Sequence, residues 1–90
     1  MKNSPELIKF IEQLSELFWF VPENKKLGIS IEVVVETVLN YGNEKDVKML
    51  FELIGLNETA KIFRHQISLK RNNYFPQTRN YFSLYFNKYA

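Results

Sequence analysis

His65 is the only histidine in this 90-residue chain, and there is no cysteine. General acid–base and nucleophilic catalysis both need a poised group oriented by a second one. His65 stands beside Arg64 on the outer side of a helical segment, so a solvent-facing side chain is expected. Metal sites gather several His, Cys or carboxylate ligands. Only carboxylates remain for that purpose, and they are scattered along the chain. Glu32 and Glu36, four residues apart, could pair on one helical face, but a solvated face is the expected reading. The three glycines stand apart, so there is no Gly-rich phosphate loop. These features point away from an enzyme, and no catalytic residue, metal or cofactor is expected.

Two binding chemistries remain. Tyr, Phe, Trp and Arg are the residues that anchor protein interfaces, and the chain has eight Phe, five Tyr and one Trp. Trp19, Arg79, Tyr81 and Tyr85, with a basic edge of Lys70 and Arg71, are the candidate contacts to a protein partner or a second copy of the chain. Trp19 also reads as a core plug at a helix end, which is the preferred assignment for a lone tryptophan there. The second chemistry is nucleic-acid binding. Lys70, Arg71, Arg79 and Lys88 alternate with Tyr74, Tyr81 and Tyr85, a mixture able to contact phosphates and stack on bases. A core helix with basic edges is the blander reading and the preferred one.

The charge map sharpens this. Net charge is only +2, but all ten acids lie at or before Glu58. Residues 1–60 carry six bases against ten acids, or −4, whereas residues 61–90 carry six bases and no acid. Such asymmetry suggests an anionic partner for one end, or an acidic front of the same fold packed beside a basic tail. No apolar run approaches the roughly 18–20 residues of a membrane span. The first residues lack the features of a signal peptide. A cysteine-free chain fits a reducing cytosol, so a cytoplasmic protein is expected.

The elements that must position these residues read as helices. Ser4-Pro5-Glu6 is a helix start, with a hydroxyl cap and a proline at the first helical position. Leu7, Ile8, Ile11, Leu14, Leu17 and Phe18 then give an apolar face to about Phe18. Pro22 biases Val21 away from helix, and residues 23–28 form a polar loop. Ile29 to Leu39 is ambiguous. Its β-branched alternation suits a strand, but Ser30 can cap, Ile29 and Val34 can staple, and Ile31, Val34, Val35, Val38 and Leu39 share a helical face. Gly42 is placed for a left-handed cap. Asn43 with Asp46 opens a third helix with the clean stripe Val47, Leu50, Phe51 and Ile54. Gly55 ends it, Asn57 is the expected cap of a fourth, and Ala60, Phe63 and Ile67 are its inner face. Pro76 starts a fifth, in which Tyr81, Phe82, Tyr85, Phe86 and Tyr89 recur with helical period and Leu84 widens the arc.

The third and fourth helices suggest a helix-turn-helix, but the details argue against it. With Gly55 as the turn glycine, Phe51 occupies a position that needs a small residue. The buried positions of the second helix would fall on Lys61 and Arg64. A plain helical hairpin is expected instead.

Four segments together resemble a known family. They are Leu17-Phe18-Trp19, Val38-Leu39-Asn40-Tyr41-Gly42-Asn43, Asp46-Val47-Lys48-Met49-Leu50-Phe51 and Thr78-Arg79-Asn80-Tyr81-Phe82-Ser83-Leu84-Tyr85-Phe86. The chain resembles small bacterial and archaeal helical domains of unknown function that end in Thr-x-Asn-Phe/Tyr-Trp/Phe-x-Leu-Tyr-Phe. The resemblance covers about Leu17 to Phe86. Genes of that family often stand beside genes for nucleotidyltransferase-fold toxins, so the resemblance implies an antitoxin-like or accessory partner role. It brings no catalytic residues. Phe20 and Asn43 stand where the family often has Asp, and Tyr74-Phe75 where it often has Leu-Ser.

The expectation is therefore an all-α single domain of about five short helices, with the C-terminal aromatic helix central to the core. Its expected role is a non-enzymatic protein-binding module, the antitoxin or accessory partner of a nucleotidyltransferase-like toxin. The alternative is an autoregulatory nucleic-acid-binding module that uses the basic C-terminal third.

Overall fold

The computed structural model describes residues 5–19, 29–69 and 72–90. Among them are five α-helices and no strand: α1 Pro5–Gln13, α2 Ile31–Tyr41, α3 Glu44–Ile54, α4 Leu56–Ser68 and α5 Pro76–Tyr89, with a 3-10 turn at Ser15–Phe18. The all-α expectation holds. The expected cap at Ser4, the break at Val21-Pro22 and the loop at 23–28 lie outside the described residues.

The first apolar stripe does not run as one α-helix to Phe18. Leu14 leaves the helical basin at φ −106° and ψ 26°, and the chain tightens into the 3-10 turn. The apolar register survives the change, because Leu7, Phe10, Ile11 and Phe18 are all buried.

The ambiguous segment is helix. Ser30 Oγ accepts from the Val33 amide at 3.3 Å, which satisfies one of the donors left open at a helix start. The β-branched residues fall on one side, with Val34, Val35 and Val38 fully buried and Leu39 nearly so. Tertiary burial of that face outweighs the weak β preference of valine.

Gly42 closes α2, but not with left-handed backbone. Its φ is −74° and its ψ 158°. Glycine is needed for space instead: a Cβ there would sit 2.7 Å from the Val38 carbonyl oxygen and 3.1 Å from Asp46 Cβ. The tightest contact is with α2 itself, and Asp46 adds to it because the next helix starts at once. Asn43 Oδ1 accepts from the Asp46 amide at 2.8 Å, and Asp46 Oδ2 accepts from the Asn43 amide at 3.1 Å. This is the reciprocal cap that the sequence suggests.

Gly55 is the whole connection between α3 and α4. Its φ of 91° and ψ of 143° are open to glycine and costly for other residues. Its amide donates to the Phe51 carbonyl at 2.8 Å, and its carbonyl accepts from the Thr59 amide at 3.0 Å and the Thr59 hydroxyl at 2.7 Å. One residue thus ends α3 and begins α4. Asn57, expected as the cap, is already inside the helix. The joint between the two helices is therefore a single residue.

α2 packs against the 3-10 turn, α3 and α4, and α5 packs chiefly against α4. The aliphatic half of the core is built on α2 and Leu50 of α3. The aromatic half centres on Phe63 of α4, whose ring lies 5.0 Å from Tyr74, 6.3 Å from Phe82 and 5.3 Å from Phe86. Edge and tilted contacts of this kind add about 0.5–1.5 kcal/mol per pair beyond area burial.

Buried polar groups hold the entry to α5. Tyr74 donates its hydroxyl to Gln66 Oε1, and Gln66 Nε2 donates to the Glu32 carbonyl of α2 at 2.9 Å. Asn40, near the end of α2, binds both sides of Tyr74. Its Nδ2 donates to the Asn73 carbonyl at 3.0 Å, and its Oδ1 accepts from the Phe75 amide at 3.2 Å. Glu36, one turn earlier, accepts from Asn73 Nδ2 at 3.1 Å. Glu36 is therefore not simply a solvated carboxylate. α2 sets where α5 begins.

Candidate functional site

α5 has a buried line and two different flanks. Phe82 and Phe86, four residues apart, are buried against α4. Successive residues turn about 100°. Tyr81 and Tyr85 therefore fall to one side of this line, and Arg79, Ser83 and Asn87 fall to the other.

On the first flank the rings form a ladder. Phe51 of α3 and Tyr85 are near-parallel, with centroids 5.7 Å apart and planes at 21°. Tyr85 and Tyr81 repeat the arrangement at 6.1 Å and 21°. A groove of about 490 Å³ runs between α3 and α5, floored by Leu39 and Phe82 and walled by Phe51, Tyr81 and Tyr85. Lys48 stands on its rim, paired with Glu44 at 3.2 Å. That pair is strongly exposed and adds little to stability. Tyr89 continues the flank, 4.8 Å from Tyr85, with Lys88 Nζ 5.3 Å from its ring centre.

Tyr81 is 60% exposed and Leu84 73% exposed. Leu84 widens the apolar arc, but on its exposed side. It lies about 180° around the helix from the midline between Phe82 and Phe86, so it faces outward. Tyr81, Leu84 and Tyr85 (positions i, i+3 and i+4) form an apolar stripe that the fold itself leaves partly open, and Tyr89 extends it.

The other expected contacts are elsewhere. Arg79 is exposed, but about 160° around the helix from Tyr81, so the two do not share a face. Trp19 is 74% exposed and is not a core plug. Phe18 takes the core position, and the next residue of a 3-10 turn points about 120° away. Trp19 instead lines a recess of about 360 Å³ with Glu36, Asn40, Tyr41 and Asn73. Lys70 and Arg71 lie outside the described residues. His65 is exposed, as expected.

The nucleic-acid alternative groups Tyr74 with the stacking rings, but it is a core residue. Burial, and after it the nearby Glu36 carboxylate, hold its hydroxyl well above the usual phenol range. Asn40 and Gln66 act as positioning residues, and no local period in the sequence marks them. Gln66 sits three residues after Phe63, on the apolar side of α4. Among the described residues no group of three His, Asp or Glu side chains could hold a metal ion. No described helix is long and apolar enough to cross a membrane.

Comparison of the chain with protein-family models, with curated proteins and with solved structures found no match.

Proposed function

We propose that this protein is a non-enzymatic protein-binding module whose partner docks on the outward stripe of α5, with Tyr81, Leu84 and Tyr85 as its anchors. The observation that carries this reading is the exposure of Tyr81 and Leu84 on a helix that is anchored to the core through Phe82 and Phe86. Contiguous exposed apolar side chains mark interaction sites. Tyrosines held in a ring ladder lose little rotamer freedom when a partner covers them. The partner class, a nucleotidyltransferase-like toxin in a prokaryotic cytosol, follows from the family resemblance of the Thr78–Phe86 segment. The role would be that of an antitoxin or accessory subunit.

Co-expression with a nucleotidyltransferase-like protein encoded beside it tests the reading. The wild-type chain is expected to co-purify with that protein and relieve its toxicity. The Tyr81→Ala/Leu84→Ala double variant is expected to do neither, with its thermal midpoint unchanged. Absence of both effects for the wild type sinks the proposal. A doubled mass in sedimentation velocity, abolished by the same variant, would instead make a second copy of the chain the occupant of this stripe.

A further inference from the structure

The other flank of α5 has a different chemistry and does not depend on the protein-binding reading. Lys61, Arg64 and Ser68 lie at i, i+3 and i+7 on α4 and are all exposed. On the same flank of α5, Arg79, Ser83 and Asn87 lie at i, i+4 and i+8, and Ser83 and Asn87 come next to Arg64. The two rows meet at a recess of about 170 Å³, where Arg64, Ser83 and Asn87 surround the buried rings of Phe63 and Phe86. Arg64 is fixed there because a guanidinium nitrogen donates to the Phe86 carbonyl at 3.1 Å. A guanidinium has five N–H donors, so several remain for a ligand. No acid occurs after Glu58, so the α5 row has no carboxylate, and the α4 row has only Glu58, three residues before Lys61.

We propose that this α4–α5 flank binds the phosphodiester backbone of nucleic acid. Phosphate oxygens are contacted by Arg and Lys together with Ser and Asn side chains, and that is the composition of the two rows. An acidic protein surface would answer the same charge. Protein interfaces, however, need buried aromatic or aliphatic anchors, and on α5 the exposed rings lie on the opposite flank. The separation of Arg79 from Tyr81 therefore assigns the cations and the rings to different ligands.

The test is fluorescence anisotropy with a labelled mixed-sequence DNA duplex of about 20 base pairs. Three described cations predict a log–log salt slope of about −2.7, which is roughly a 40-fold weakening between about 50 and 200 mM salt. The Lys61→Glu/Arg79→Glu variant is expected to weaken binding at least about tenfold at low salt. Lys9→Glu/Lys45→Glu, which makes the same change in net charge on exposed positions of α1 and α3, should have a much smaller effect. Tyr81→Ala/Leu84→Ala should leave DNA binding intact, which separates failure here from failure of the protein-binding reading. Circular dichroism verifies folding, and Lys61→Gln/Arg79→Gln replaces the reversal if it unfolds. The proposal is overturned if the folded wild type does not bind at low salt, or if the two charge reversals weaken binding equally. It is also overturned if polyglutamate displaces the duplex charge for charge, which would identify an acidic protein as the ligand.

Discussion

The hydroxyl of Tyr74 donates to the side-chain carbonyl of Gln66, and both side chains are buried between α4 and the segment that leads into α5. The bond ties a chain entry to a helix interior, and Gln66 passes the connection on to the Glu32 carbonyl of α2. Removing one member is expected to cost more than the bond is worth, because the other stays buried and unpaired. Tyr74→Phe should lower stability by about 1–3 kcal/mol. Adding Gln66→Leu should then cost less than Gln66→Leu does alone. Urea titrations of the three variants measure this coupling.

The same residue gives a pH dependence. In the unfolded chain tyrosine ionises near pH 10. In the fold, burial and then the Glu36 carboxylate raise that value. Below about pH 10 both states hold the proton and the contribution is constant. As pH rises further, the unfolded state loses its proton while the folded state keeps it, so stability falls by up to about 1.4 kcal/mol per unit. The difference in stability between wild type and Tyr74→Phe is expected to shrink, and then invert, in the alkaline range. Denaturant midpoints from pH 8 upward check the sign, and a difference independent of pH would contradict it.

Asn40→Ala removes the two bonds that bracket Tyr74. The side chain is only partly covered, so water replaces some of the loss, and about 1–2 kcal/mol is expected. The local effect is more specific. The Phe75 amide loses its acceptor, so its hydrogen exchange should accelerate more than that of the buried turns of α2. Residue-resolved exchange by NMR reads this directly.

Gly42 and Gly55 should both resist alanine, for different reasons. At Gly42 the backbone suits any residue, but the added carbon meets the Val38 carbonyl. At Gly55 nothing lies within 4 Å of the added carbon, and the cost comes from a φ of 91°. Each substitution is expected to cost about 1–3 kcal/mol. Chemical synthesis with D-alanine at position 55, which favours positive φ, should recover most of the loss there. Thermal melts of the synthetic chains decide the matter.

Phe63→Ala should be among the most damaging single changes. It empties the centre of the aromatic half of the core, where one ring touches Tyr74, Phe82 and Phe86. A loss of about 3–5 kcal/mol is expected, a large share of the roughly 5–15 kcal/mol that holds a small domain. Phe63→Leu should retain about half. Near-ultraviolet circular dichroism should lose its tyrosine signal before far-ultraviolet helicity declines.

Local features of the fold were legible, and distant pairings were not. The Asn43–Asp46 cap and the stripe through Val47, Leu50 and Phe51 could be read because both depend on spacings of three and four residues. The Ile31–Tyr41 helix is ambiguous in sequence, because its valines suit a strand while the Ser30 cap favours a helix. Trp19 is not the core plug because its neighbour Phe18 takes the core position, and adjacent residues of a helical turn point about 100–120° apart. The glycine at position 42 was recognised as necessary, but for backbone reasons when the requirement is spatial. The bonds of Asn40 and Glu36 span 33 to 37 positions, and no local period encodes them. At the candidate site, Tyr81 and Tyr85 were placed by period. Arg79, only two residues from Tyr81, belongs to the other flank because two residues turn a helix by about 200°.

Those long-span bonds also carry a consequence for the order of folding. α2, α3 and α4 are joined by Gly42-Asn43 and by Gly55 alone, so their contacts close short loops that form quickly. α5 docks through partners far away in sequence, and its register is set only once the end of α2 exists. The expected sequence of events is a three-helix nucleus followed by attachment of α5. The same order makes α5 the first unit to detach in partial opening. A ligand on either flank of α5 would therefore bind only the fully assembled chain, and would slow that detachment in proportion to its concentration.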